Sequence, residues 1–515
     1  MVSNVVRKPN QRKQGIFLSY LNIFLHAFIG FLYVPLLLHY IGKNEYGLYQ
    51  LIGSLIAYFS VMDFGLTAAV VRFYAKYRAL KDQEGMENIL AIALRGYAVV
   101  DALVLAVGAF CYFHLDQIFG RSMGPAELTE ASHIFLLLLF NIAITLSTMV
   151  FQAVINAEER FLFLKGTETV QLVLQPILVV LVLQKYPYAF SVAAVQTLIN
   201  VVLILARFYY CFGKLHIRIK YHYWNHELYA EFSKLALSIF SVAIIDQVFW
   251  KTNQVILGII SGTAAVAVYS VASLVYLNYM SISVAISGVY LPHISGVVAQ
   301  ENGDEYLSDL FIQVGRAQYY LLALVTTGFI IFGRQFIAFW AGPGFQDAYA
   351  ITLLIILPFT IDLIQNIGLA ILQAKNQYDF RAKVYSSVGI LNIVLAIPLG
   401  IRFGGIGCAF STGFSMFVGN GLIMNWFYNK YVGIDILEFW REIGKITVVV
   451  AICCIAGYAG NLLFMTNSKF IYGLKIILYT IFYCIILYRY SFNIAEKRII
   501  AKVKQRIISE INDNE

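Results

Sequence analysis

Charge is what this chain has least of. Of its 515 residues only 13% are Asp, Glu, Lys or Arg, against about 25% in ordinary soluble domains. Sixty per cent are hydrophobic, and the mean hydropathy is +0.73. Too few polar groups are present to cover a water-exposed surface, which excludes a string of soluble domains and calls for a bilayer. Cysteine is scarce and scattered. Cys111, Cys211, Cys408, Cys453, Cys454 and Cys484 fall in or beside apolar runs, and none forms a CxxC or Cys/His cluster. They read as small hydrophobes rather than metal or redox sites. Also missing are GxxxxGK[ST], HExxH and a GxSxG with triad partners, so no nucleotide site or catalytic residue is expected, nor any metal or cofactor. No loop is large. The longest expected outer one, 114–130, has 17 residues, too few for a soluble catalytic domain. No cleavable leader is expected either. The basic N-terminus (Arg7, Lys8, Arg12, Lys13) precedes an apolar run too long for a signal core, which reads as a first anchor.

What fills the chain instead is apolar runs long enough to cross a bilayer, about 20 residues each. Fourteen are expected, over 16–40, 47–72, 88–113, 131–156, 167–185, 189–211, 232–259, 264–290, 312–333, 348–374, 383–402, 405–428, 443–464 and 471–490. They are continuous rather than alternating, which excludes a porin-like barrel. With the N-terminus inside, the inner segments hold 28 Lys and Arg and the outer loops 7, while Arg95 and Lys251 lie within spans. A fourfold bias surviving fourteen alternations supports both the count and the orientation, with both termini cytoplasmic. The net charge of +8 then needs no nucleic acid. It anchors the inner face to anionic membrane lipids. After span 14, residues 491–515 place Ile499, Ile500, Val503, Ile507, Ile508 and Ile511 at helical spacing among basic residues. That pattern predicts an amphipathic helix on the inner leaflet.

The two halves echo each other at an offset of about 220. Gly42 and Tyr49 in "YIGKNEYGLYQL" match Gly262 and Tyr269 in "ISGTAAVAVYSV", and "VINAEERFLF" (154–163) resembles "ILQAKNQYDF" (371–380). Arg95 pairs with Arg316, and His26 aligns with Asp246. Six spans per repeat is an even number, so the repeats enter from the same side, as parallel repeats do. The expected divisions are an N-lobe over 1–220, a C-lobe over 221–430, spans 13 and 14 over 431–490, and the tail. Two six-helix lobes would bind a substrate where they meet.

Charges inside spans are costly and seldom face lipid. Those here are His26, Asp63, Arg72, Arg95, Asp101, Asp246, Lys251, Arg316 and Asp362, all in spans 1, 2, 3, 7, 9 and 10. Two readings stand for each. Arg72, Arg95 and Arg316 lie near expected inner helix ends and either snorkel to headgroups or line a path. The four acids and His26 are either satisfied structurally or face a cavity, and Lys251 either snorkels outward or faces one. Asp63 and Arg72 are not expected to pair. Nine residues on one helix put them on opposite faces, about 14 Å apart along the axis.

This order of features, with "YIGKNEYGLYQL" after span 1 and "MDFGLTAAVVRFYA" in span 2, resembles the polysaccharide-export flippases. These form the O-antigen-type branch of the multidrug/oligosaccharidyl-lipid/polysaccharide exporter superfamily. The resemblance implies an all-α polytopic, V-shaped, MATE-like bundle of fourteen helices, with two parallel six-helix repeats plus a terminal pair. It implies alternating access in a bacterial cytoplasmic membrane, for surface polysaccharide synthesis. The implied cargo is an undecaprenyl-diphosphate-linked oligosaccharide, moved from the inner to the outer leaflet, with a proton or sodium gradient resetting the cycle. A polysaccharide polymerase or assembly complex is an implied partner. Under it, Arg72, Arg95, Lys251 and Arg316 are the candidates for diphosphate, because arginine's planar fork suits phosphate oxygens. His26, Asp63, Asp101, Asp246 and Asp362 are the candidates for coupling and cavity lining. Rival readings are a MATE-type multidrug antiporter, a lipid II-type flippase and, from another class, a membrane-embedded polymerase.

Overall fold

A computed structural model describes residues 10–223, 226–298, 303–463, 468–498, 501 and 505. Among them there is no strand. The helices are α1 (Asn10–Ser60), α2 (Leu66–Leu80), α3 (Gln83–Phe119), α4 (Pro125–Ala157), α5 (Phe161–Leu183), α6 (Ala189–Tyr209), α7 (His226–Ser261), α8 (Thr263–Ser287), α9 (Leu291–Val298), α10 (Gly303–Trp340), α11 (Asp347–Leu363), α12 (Ile367–Ala374), α13 (Tyr378–Met416), α14 (Met424–Phe427), α15 (Ile436–Leu463) and α16 (Lys469–Tyr490). The amphipathic tail expected beyond Arg498 lies almost wholly outside the described residues.

Ten helical stretches, and an eleventh made by the bent pair α11–α12, are long and apolar enough to cross a membrane. Two of the ten are double-length, Leu21–Leu80 with 60 residues and Tyr378–Val432 with 55. At about 1.5 Å per residue each far exceeds a hydrocarbon core of about 30 Å. Each is bent at a glycine. Gly42 has φ 76° and ψ −179°, and Gly404 has φ 58° and ψ −137°. Counting each as two crossings and adding α7 gives the fourteen expected, and the protein is a multi-pass membrane protein.

The duplication is visible in the backbone. Gly42 and Gly262, paired by sequence offset, both have φ +76°. Only glycine adopts that conformation without strain, so one turn was built twice. The breaks match as well. Span 2 is interrupted at Val61–Gly65 and span 8 between Ser287 and Leu291.

The chain forms two compact units, one of residues up to Leu274 with Gly389–Ser411, the other Val275–Val388 with the residues from Thr412 onward. In the first, α7 and the start of α8 join the N-terminal helices through close and polar contacts. Gly47 lies against the Thr263 carbonyl and Gly258 against Leu51. Buried Gln254 meets Ser54 and donates to Ser270 at 3.2 Å. At the Gly42 end of this unit, carboxylates meet helix starts. Glu45 accepts the Ala189 N–H at 2.7 Å, Glu130 the Phe190 N–H at 3.4 Å, and Glu127 the Thr263 hydroxyl. Negative charge is favoured at such N-termini. In the second unit, α10, α15 and α16 build a core around Phe332, Ile446, Tyr479 and Tyr483, with the Tyr479 hydroxyl donating to Thr327 at 2.7 Å.

Candidate functional site

The site begins with a fault in a helix. α1 ends at Ser60, Val61–Asp63 make one 3₁₀ turn, and Phe64 (φ 48°) and Gly65 (φ 70°) are left-handed before α2 starts at Leu66. Span 2 is therefore not one helix. The expected 14 Å helical separation of Asp63 and Arg72 does not apply, because the break resets the rotation between them. The Asp63 carboxylate caps the restarted helix. It accepts from the Thr67 hydroxyl at 2.8 Å, the Thr67 N–H at 3.4 Å and the Tyr97 hydroxyl at 2.7 Å. Irregular backbone at membrane depth survives only when its polar groups are met this way. The break turns the Phe64 ring out against Phe240, 4.4 Å between centroids.

Tyr97 of α3 is fully buried. One turn beyond it is Asp101, which takes the Ser147 hydroxyl on one oxygen while its other oxygen is buried with no partner among the described residues. Two acids thus flank one tyrosine. Two residues before Tyr97 is Arg95, exposed, its guanidinium carbon 4.0 Å from the centroid of the Tyr221 ring. Beside it opens a cavity of about 280 Å³, lined by Phe64, Leu66, Arg95, Gly96, Val99 and Tyr221 among others. Gly96 faces Leu66, and an added Cβ there would make an ordinary contact with its methyl at 3.6 Å. The break, the acid pair and the arginine are thus one neighbourhood in the first unit.

The other expected residues fall elsewhere. Arg72 is exposed on α2, its guanidinium 5.8 Å from the Phe73 ring. His26 and Asp246 are exposed on α1 and α7, and neither lines the Arg95 cavity. Lys251 is half-buried on α7, with no charged group influencing it among the described residues. Asp362 lies where α11 bends by 43° into α12, with its carboxylate 3.8 Å from Arg381. It is paired, with an arginine the sequence reading did not single out.

Arg316, read as snorkelling to headgroups or lining a path and under the resemblance as a diphosphate candidate, has a side chain only 4% exposed. Its Nε and Nη2 donate to the two oxygens of Glu496 at 2.9 and 3.0 Å. Nη1 donates to Glu442, and Nη2 also to the Tyr320 hydroxyl at 2.8 Å and the Ser491 carbonyl at 3.0 Å. A fork filled by its own chain clamps the segment after α16 and is not placed to take a phosphate.

Repeats of six, broken spans and acids at the breaks make an all-helical membrane bundle. Solved structures agree. The chain is similar to "Lipid II flippase MurJ, inward closed conformation", with TM-score 0.71 and 17% identity over 92% of this chain and 97% of that one. It is also similar to an inward-facing multidrug resistance MATE family transporter of the MOP superfamily, with TM-score 0.56 and 14% identity over 80% and 96%. A third likeness is a Vibrio cholerae MATE transporter, with TM-score 0.55 and 12% identity over 83% and 98%. At these identities the likeness shows the fold alone. No curated protein sequence matches the chain. The sequence model described as polysaccharide biosynthesis protein matches residues 13–298, more than half of the chain. The chain belongs to that family.

Proposed function

We propose that the protein is a flippase for an undecaprenyl-diphosphate-linked oligosaccharide, carrying it from the inner to the outer leaflet of a bacterial cytoplasmic membrane. The observation that carries this reading is Arg95, an exposed guanidinium beside a cavity of about 280 Å³ at a broken span, in a chain of the polysaccharide biosynthesis family. An arginine at the end that the charge pattern places inside meets a diphosphate where the lipid loads. Exposed Arg72 adds a cation near that end, and half-buried Lys251 offers one in the expected outer half. The Asp63–Tyr97–Asp101 cluster is the coupling element. It sets Asp101, with one oxygen buried and without a partner among the described residues, one turn from the tyrosine that also meets Asp63. A proton or sodium gradient then drives alternating access, and the protein is a transporter rather than an enzyme.

Deleting the gene, in a strain without a paralogue, is expected to abolish surface polysaccharide while lipid-linked units accumulate on the inner face. Normal polysaccharide in that deletion would refute the reading. A multidrug antiporter would instead show drug sensitivity with polysaccharide intact. Arg95→Ala is expected to reproduce the deletion with normal expression.

A further inference from the structure

Residues 217–223 join α6 to α7 as an extended strap rather than a loose loop. The segment "IRIKY" (217–221) alternates. Ile217 is buried, Ile219 and Tyr221 are half-buried, and Arg218 and Lys220 are exposed. One face thus lies on the bundle while two cations point away from it. The strap is pinned at both ends. Ile217 donates its N–H to the Cys211 carbonyl at 3.2 Å. At the other end Asn88 of α3, fully buried, acts like a neighbouring strand. Its Oδ1 accepts the His222 and Tyr223 N–H groups at 3.0 and 3.3 Å, and its Nδ2 donates to the Tyr223 carbonyl at 3.0 Å. The His222 ring meets Glu87 at 2.8 Å. Between the pins, the Tyr221 ring lies on Arg95.

That arrangement leaves the guanidinium face already occupied by a weak ligand from the chain itself. We propose that the 217–223 strap is a lid on the Arg95 cavity, with Tyr221 holding the guanidinium until a diphosphate group displaces it. The inference rests on the flippase reading for the identity of the anion. It adds a gate and a gating residue. Arg218 and Lys220 on the lid's outer face raise the local concentration of anions before the lid lifts. Lifting requires the loss of Asn88's bonds, the His222–Glu87 contact and one cation–π contact, and no helix has to unfold. Because the strap precedes α7 in the chain, occupancy of the cavity is relayed to that span.

The test uses full-length protein in detergent with two probes, geranylgeranyl diphosphate and inorganic pyrophosphate. Affinity is read by calorimetry and strap mobility by hydrogen exchange. The wild type is expected to bind, and Arg95→Ala to bind at least tenfold more weakly. Tyr221→Ala is expected to bind about two- to fivefold more tightly, the worth of an exposed cation–π contact. Tyr221→Phe, which keeps the ring, should match the wild type. Saturating probe should speed exchange at the His222 and Tyr223 amides, and Asn88→Ala should reproduce that speed without probe. Loss of binding in Arg95→Ala with unchanged or weaker binding in Tyr221→Ala would overturn the lid and leave the site. Wild-type affinity in Arg95→Ala, or no binding of either probe by the wild type, would overturn the site and the lid together. A preference for the lipid probe identifies a lipid headgroup as the ligand, and equal affinity identifies the diphosphate alone. In both cases a lid must show the Tyr221→Ala gain.

Discussion

Arg316→Ala separates two accounts of one residue. If Arg316 holds the chain after α16, removing it leaves Glu496 without a cation and Glu442 with only the exposed Lys445, each carboxylate about a fifth exposed. Breaking a buried pair by deleting one side costs about 3–5 kcal/mol. With that exposure about 2–3 kcal/mol is the fitting range. Glu496 has a second duty. Its carboxylate accepts the Asn493 N–H at 2.8 Å while the Asn493 side chain accepts the Glu496 N–H at 2.8 Å, a reciprocal cap on the helical turn that follows. Burial alone would raise the Glu496 pKa, but the Arg316 guanidinium and the Asn493 amide outweigh it and hold it below the usual 4.5. The clamp's contribution is therefore full above pH 4.5 and is lost as pH falls through the lowered value. The assay is thermal unfolding in detergent with trypsin cleavage at Lys497 and Arg498. Arg316→Ala should unfold at lower temperature and release the tail to trypsin. Glu496→Ala combined with it should cost little more than either alone. An Arg316→Ala protein with unchanged melting and a protected tail, yet impaired transport, would refute the clamp and return Arg316 to the cargo.

At the Gly42 end, burial pushes the Glu45 carboxyl up to about 7; the Ala189 N–H opposes this, and Glu130 and Glu127 add to it. Because the folded state then holds a proton more tightly than the unfolded chain, stability should fall as pH rises from about 4.5 to 7. Glu45→Gln should flatten that slope in melting temperatures measured between pH 5 and 8, and an unchanged slope would exclude Glu45 as its source. Gly47→Ala would place a Cβ 1.9 Å from the Thr263 carbonyl oxygen, whereas a Cβ at Gly53 meets nothing within 4 Å. The first should destabilise by about 2–3 kcal/mol or more through backbone displacement, and the second should be near neutral. Equal melting temperatures for the two would refute the close approach of α1 and α8.

Much of the architecture was legible because it follows from periodic or summed properties. Apolar length located every crossing, and the repeat was readable because Gly42 and Gly262 need the same rare backbone. The break in span 2 was not legible from hydropathy, since "VMDFGL" is apolar enough to pass for continuous helix. Its signal was the Asp-Phe-Gly sequence, an acid and a glycine where neither favours a helix interior. The pairing of Arg316 was out of reach, because its partners Glu442 and Glu496 are 126 and 180 positions away. Arg381 was counted only as a loop cation, so Asp362 looked unpaired. The strap announced itself faintly, as five alternating residues between two spans.

The repeat gives the contrast between Arg95 and Arg316 its meaning. They occupy equivalent positions in the third helix of each repeat, 221 residues apart, and duplication began them with the same chemistry. Arg95 now meets the segment that follows its own six spans, and Arg316 the segment that follows the terminal pair. For Arg95 that segment brings an aromatic ring, whose hold on a guanidinium is weak and open to competition by any anion. For Arg316 it brings a carboxylate in two-point contact, which a phosphate cannot displace without leaving the half-buried Glu496 with no cation of its own. One copy thus keeps a cation available and the other turns it into a fastening. If that division is correct, exchanging the caps should exchange the roles. Tyr221→Glu should silence Arg95 toward diphosphate even though every cavity-lining residue of α3 remains in place.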